Sequence, residues 1–193
     1  MAQFEAFHPD VEVNGETVLS FVEAMDQGRD RRARILAQHG IEPEPGQWYP
    51  QQAWLDAFRE IADTVGDMNL FMIGKAIIDH ARFPPMNGLE DALNAIDVAY
   101  HMNHRLHGQI MYDTDAGGMT EGIGHYRVES FDPDNQRAVM ICDNPYPSRF
   151  DEGIIAQVTR YYKPGYRSPS VALDPERESR KWGGESCTYI IEW

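Results

Sequence analysis

Four histidines stand close together in the middle of the chain: His101, His104, His107 and His125. Tyr100 precedes the first, and Tyr126 follows the last. The i, i+3 spacing of His101 and His104 puts both on one face of a helix end. His107 would share that face only if the helix ran on past Gly108. Imidazoles grouped in this way can ligate a transition metal or haem iron, or hydrogen-bond an acidic or phenolic ligand. They can equally cap a helix C-terminus, where donors and cations are favoured. These three readings stay open on the residues alone.

Other chemistry is thinner. Glu121 and Asp113–Asp115 could act as acid/base groups, but acidic side chains are plentiful here. Gly-x-Ser-x-Gly is absent, and Gly183-Gly184 lacks the strand and helix of a phosphate loop. Asp151, Glu152 and Gly153 open a helix, where carboxylates favour the dipole, and Arg149 pairs with one of these acids. Cys142 and Cys187 sit on expected strands as small buried residues. Most of the methionines lie between Met68 and Met140, where they could line an irregular apolar pocket.

The elements that must position these groups follow from periodicity. Residues 1–13 read as an irregular lead-in. Asn14 to Thr17 starts a helix with Val18, Phe21 and Val22 inward; Gly28 interrupts it, and Arg31–His39 is a second helical piece that Gly40 closes. Pro50 opens a helix carrying Trp54, Leu55, Phe58 and Ile61, and Met68–His80 forms the next. Phe83-Pro84-Pro85 stops that one. Gly88 to about His104 is helical again. Ile110 and Tyr112 suggest a short strand. His125–Phe131 and Arg137–Cys142 read as strands joined by a turn. Asp151–Tyr162 is a helix, and Ser170–Leu173 and Ser186–Trp193 complete an antiparallel sheet. The expected fold class is α+β, a single domain over 1–193. A helical half, 14–107, packs on a sheet-containing half, 108–193, of four to five strands with one intervening helix. Such packing leaves room for a pocket between helices and sheet.

Length and composition set the outer bounds. The 193 residues, 42% hydrophobic and 25% charged, describe an ordinary globular domain. Thirty-one acidic against 17 basic residues give a net charge of −14, which disfavours nucleic acid and anionic membranes as partners. No signal peptide is recognised, no apolar run approaches the roughly 18 residues of a membrane span, and two cysteines make no disulfide framework. A cytoplasmic location is the expectation.

Four motifs carry a family resemblance. Ala99-Tyr-His-Met-Asn-His104, Glu121-Gly-Ile-Gly-His-Tyr126, Asn144-Pro-Tyr-Pro-Ser-Arg-Phe-Asp151 and Gly183-Gly-Glu-Ser-Cys-Thr-Tyr189 with Trp193 together resemble the 4-vinyl-reductase-type ligand-binding domain. That domain is similar in fold to haem nitric-oxide-binding (H-NOX) domains and to vesicle-tethering subunits. The resemblance implies small-molecule sensing without catalysis, and a partner protein that receives the signal. It places a hydrophobic or aromatic ligand near His101, His104, His125, Tyr100 and Tyr126, in a monomer or homodimer. Several family members bind zinc at positions that fall here on Ser148, Glu176, Ser179 and Cys187. Two of the three expected thiols are serines, so the resemblance implies a degenerate zinc site. The alternative it implies is a haem gas sensor with His104 or His101 as axial ligand. Against haem, the Tyr-x-Ser-x-Arg motif is broken, with Phe150 where the Arg is expected and Arg149 one place early. A pigment-type vinyl reductase or a tethering subunit is the further alternative, and no nucleotide fingerprint supports a reductase.

Overall fold

The computed structural model describes residues 3–193. Its elements run β1 (Val11–Asn14), α1 (Gly15–Glu23), α2 (Arg29–Gln38), β2 (Trp48–Pro50), α3 (Gln51–Val65), α4 (Asp67–His80), α5 (Leu89–Met102) and β3 (His104–Leu106). They continue with β4 (Gln109–Ile110), β5 (Tyr112–Asp113), β6 (Gly118–Met119), β7 (Tyr126–Asp132), β8 (Arg137–Cys142), α6 (Ser148–Tyr162), β9 (Ser170–Leu173) and β10 (Cys187–Glu192). A 3-10 turn, Arg180–Trp182, precedes β10. The fold is α+β, with an antiparallel sheet ordered β7-β8-β10-β9 and α6 inserted in sequence between β8 and β9.

Two parts of the chain depart from expectation. The lead-in is not irregular: Val11–Asn14 is an inner strand of a second antiparallel sheet, β2-β1-β3-β4, which lies mostly within the half expected to be helical. Its alternate Val11 and Val13 are fully buried, while Glu12 forms a bidentate pair with Arg105. The helix expected to reach His104 ends at Met102. Asn103 ends it by donating to the Ala99 carbonyl, and its Oδ1 accepts from Asn14 and Thr17. That carboxamide joins α5 to α1, and the chain then turns into β3.

Packing follows the apolar faces. α6 lies against β9 and β10 on one side and against α4 on the other, with α1 and α3 outside α4 and α5 beside α6. Close approach of α4 and α6 requires glycine on both. A Cβ on Gly74 would come 2.1 Å from the Phe150 carbonyl oxygen, and one on Gly153 would come 2.1 Å from that of Phe71. An aromatic cluster closes the space between α3 and α6. The Trp54 and Phe58 rings are 4.5 Å apart, Phe58 and Phe150 4.7 Å, and Tyr146 and Phe150 5.2 Å. Among the described residues, no helix is long and apolar enough to cross a membrane.

Candidate functional site

The end of α5 sends its two histidines to different places. His104, at the start of β3, enters a cavity of about 40 Å³ between the helices and the sheet, whose walls include Thr17, Trp54, Phe83, Tyr100, Tyr146 and Phe150. His101 is fully buried outside that cavity, one helical turn from Asp97. The shared face expected from i, i+3 spacing is lost because the helix stops between them. His107 lies at the surface with positive φ, its ring against Asp10 and His8.

Both buried rings have an assignable tautomer. His104 Nδ1 is 2.6 Å from the Tyr100 carbonyl, and His101 Nδ1 is 2.9 Å from that of Asp97. A carbonyl only accepts, so each Nδ1 carries the proton and each Nε2 presents a lone pair. These contacts also satisfy carbonyls in the last turns of α5, so the capping role and the site role coexist. The Nε2 of His104 accepts from the Tyr146 hydroxyl at 2.7 Å, and Gln51 donates to that hydroxyl at 3.5 Å. Burial pushes the His104 pKa down to about 3, keeping the ring neutral, and raises those of Tyr100 and Tyr146. Tyr100 donates to the Ile123 carbonyl at 2.6 Å, so its ring, not its hydroxyl, faces His104. The cavity therefore offers apolar walls and a narrow polar edge.

Tyr126 lines the same cavity, as expected, while its hydroxyl turns to a buried acid; His125 belongs to a separate group. His125 Nδ1 lies 2.9 Å from Asp97 Oδ2 and its Nε2 lies 2.9 Å from Glu121 Oε2. Burial opposes a charge on His125, but the bonds to Glu121 and Asp97 outweigh it and raise its pKa. Burial lowers the pKa of His101. The Tyr126 hydroxyl donates to Asp151 Oδ1 at 2.6 Å. Asp151 lies in the first turn of α6, where the acids are expected, but it is buried and takes Arg180 as its counter-ion. Arg149 pairs with Glu152, as its position suggests, and its guanidinium lies over the Phe71 ring. Sequence reasoning misses Asp97, Arg180 and Gln51. Of these only Asp97 carries a usable signal, its i, i+4 spacing to His101.

The four positions that family resemblance assigns to zinc are not equivalent. Ser148 opens α6 and is buried, and its carbonyl accepts from Tyr189. Ser179 Oγ is 3.5 Å from Cys187 Sγ, both buried, whereas Glu176 is exposed in a turn. One thiol and two neutral hydroxyls do not fit a zinc ion, which prefers thiolate, imidazole and carboxylate.

No family model matches the sequence, and no curated protein matches it. Solved structures do. An H-NOX protein from S. oneidensis in the Fe(II)NO ligation state superposes with a TM-score of 0.60 at 10% identity, over 93% of this chain and 98% of that one. A structure described as probing the function of heme distortion in the H-NOX family gives 0.59 at 15% identity, over 93% and 94%. The Fe(II) unliganded H-NOX protein from K. algicida gives 0.57 at 13% identity, over 93% and 95%. The likeness spans nearly the whole of each chain and is one of fold, that of H-NOX domains.

Proposed function

We propose that this chain is a small-molecule sensor domain on the H-NOX fold, holding a small apolar ligand in the His104 cavity and signalling to a partner protein. One observation carries the reading: the cavity's polar edge is a neutral imidazole with its lone pair turned toward the Tyr146 hydroxyl, surrounded by aromatic and aliphatic walls. Pockets that bind small molecules share that make-up, mostly apolar with a few placed polar groups. A ligand with a hydroxyl or amide donor would take the place of the Tyr146 hydroxyl on His104.

The haem gas-sensor reading has its own support. The fold is that of proteins described with iron ligation states and porphyrin distortion, and His104 presents Nε2, the atom through which an axial histidine binds. Three features of the pocket argue against a porphyrin. A cavity of about 40 Å³ has room for a ligand of a few heavy atoms and is far too small for a porphyrin. The Nε2 lone pair is already engaged by Tyr146. Among the described residues no Lys or Arg lines the cavity: Phe150 fills the motif's Arg position, and Arg149 and Arg180 are paired with Glu152 and Asp151. The residues present do not fit haem.

Native mass spectrometry of protein purified from its own host separates the two readings. An organic adduct, with a matching rise in melting temperature when the compound is added back, is the expected result. A haem-mass adduct with a Soret band that His104→Ala abolishes would replace this reading with the haem one.

A further inference from the structure

We propose that Asp97, His101 and His125 form a binding site for one divalent transition-metal ion of the zinc class, with Glu121 positioning the His125 ring. The site lies apart from the His104 cavity and does not depend on what that cavity holds.

The geometry brings three ligand groups together from two places in the chain. Asp97 and His101 lie one turn apart on α5, and His125 comes from the segment just before β7. All three are buried, and one ligand atom from each lies within 4.8 Å of the others. His101 is anchored through Nδ1 and His125 through Nε2, and the Nδ1 of His125 already meets the Asp97 carboxylate. His101 donates from Nδ1 to the Asp97 carbonyl, and its Nε2 is buried without a hydrogen-bond partner among the described residues. An orphaned lone pair of this kind is costly in an interior unless something fills it. His125 is held from outside by Glu121 at Nε2, with Nδ1 turned to Asp97 Oδ2. Histidine ligands to metals are commonly oriented in this way, by a carbonyl or carboxylate on the far nitrogen. Asp97 Oδ1 accepts from the Tyr126 amide at 2.9 Å, which fixes the carboxylate and leaves Oδ2 for the ion.

Charge balance works as well. In the metal-free protein both nitrogens of His125 face carboxylate oxygens, so both carry protons. An incoming divalent ion replaces the Nδ1 proton between His125 and Asp97, and one proton leaves for each ion bound. Two imidazoles and one carboxylate suit zinc, cobalt(II) or nickel(II), and suit magnesium or calcium poorly, since those prefer all-oxygen shells. A path exists too. Glu121 and His125 line a surface cleft where Asp143, Glu178 and Glu185 outnumber Arg127, and such a cleft draws cations inward.

The test is a cobalt(II) titration of the chelator-treated protein, read by visible d–d absorption and calorimetry. One equivalent should bind, with about one proton released, and zinc should displace it. His101→Gln and Asp97→Asn should remove binding. Glu121 is 81% exposed, so Glu121→Gln keeps the fold and should weaken binding roughly 10- to 100-fold. His107→Ala, in the surface group of His8, Asp10 and His107, should change nothing. No cobalt uptake would overturn the proposal. So would uptake that Glu121→Gln leaves unchanged and His107→Ala abolishes.

Discussion

Arg180 and Asp151 form an ion pair closed off from water, Nη2 to Oδ2 at 2.5 Å, with side-chain exposures of 1% and 0%. Arg180 also donates to Asn144 Oδ1 at 3.0 Å, and Asn144 Oδ1 accepts from the Tyr146 amide. The pair thus ties the turn before β10 to the Asn144–Ser148 corner that carries Tyr146 into the cavity. Burial raises the Asp151 pKa to about 6 against the pull of Arg180, so at neutral pH both partners are charged. Removing one charge leaves the other buried and uncompensated. Asp151→Asn should therefore cost about 3–5 kcal/mol in urea unfolding. A loss under about 1 kcal/mol would show that Arg180 finds another partner.

The two helix glycines lead to a second expectation. Gly74 and Gly153 each let one helix backbone rest on the other, and the atoms a methyl would meet are main-chain, which cannot swing aside. Gly74→Ala and Gly153→Ala gain some helix propensity, roughly 1 kcal/mol. That is outweighed by forcing α4 and α6 apart, at about 1–3 kcal/mol or more. Both variants should melt lower than wild type. An unchanged or higher melting temperature in either would mean the helices have room to separate.

How much of this is legible depends on the range of the interaction. Arg137–Cys142 and Ser170–Leu173 read as strands because each carries its own alternation or β-branched content between turn residues. The β1 strand does not. Val11-Glu-Val is only a hint of alternation, and its partners, Tyr49 and His104, are far away in sequence. The end of α5 is hidden for a similar reason. Gly108 resembles a helix stop, whereas Asn103 ends the helix with bonds to Asn14 and Thr17 that no local pattern reveals. His101 and His104 stand out by type and spacing, but which way each faces follows from that stop. The burial of Arg180 leaves no trace in the sequence, where it sits in a run of charged residues.

The neutral, buried His104 makes stability depend on pH with a definite sign. Its pKa is about 3 in the folded protein and about 6.5 when unfolded. Between those values the unfolded chain binds a proton that the folded one does not, so stability falls as pH falls through that window. Asp151 works the other way between about 6 and its unfolded value, since its folded pKa is raised. A difference measurement isolates the histidine. From about pH 6 to about pH 4 the gap between wild type and His104→Gln should move toward the variant by ~1.4 kcal/mol per pH unit. Parallel pH profiles would mean that His104 is hydrated or charged in the folded state.

The Tyr146 hydroxyl tests whether space or chemistry limits the cavity. Tyr146→Phe leaves the Nε2 of His104 buried without a donor, which should cost about 1–3 kcal/mol. It also frees the one atom of that imidazole that could bind iron. If the hydroxyl were all that kept haem out, the variant would take up haem and develop a Soret band. The walls argue otherwise: Trp54, Phe83, Phe150 and the ring at position 146 stay where they are, and removing one oxygen adds little to about 40 Å³. Haem titration of Tyr146→Phe should therefore give no Soret band, whereas a small apolar donor ligand should stabilise wild type and variant alike, with the larger melting shift in the variant. A Soret band in the variant would show that the aromatic cluster opens, and that the H-NOX fold here still has room for a porphyrin.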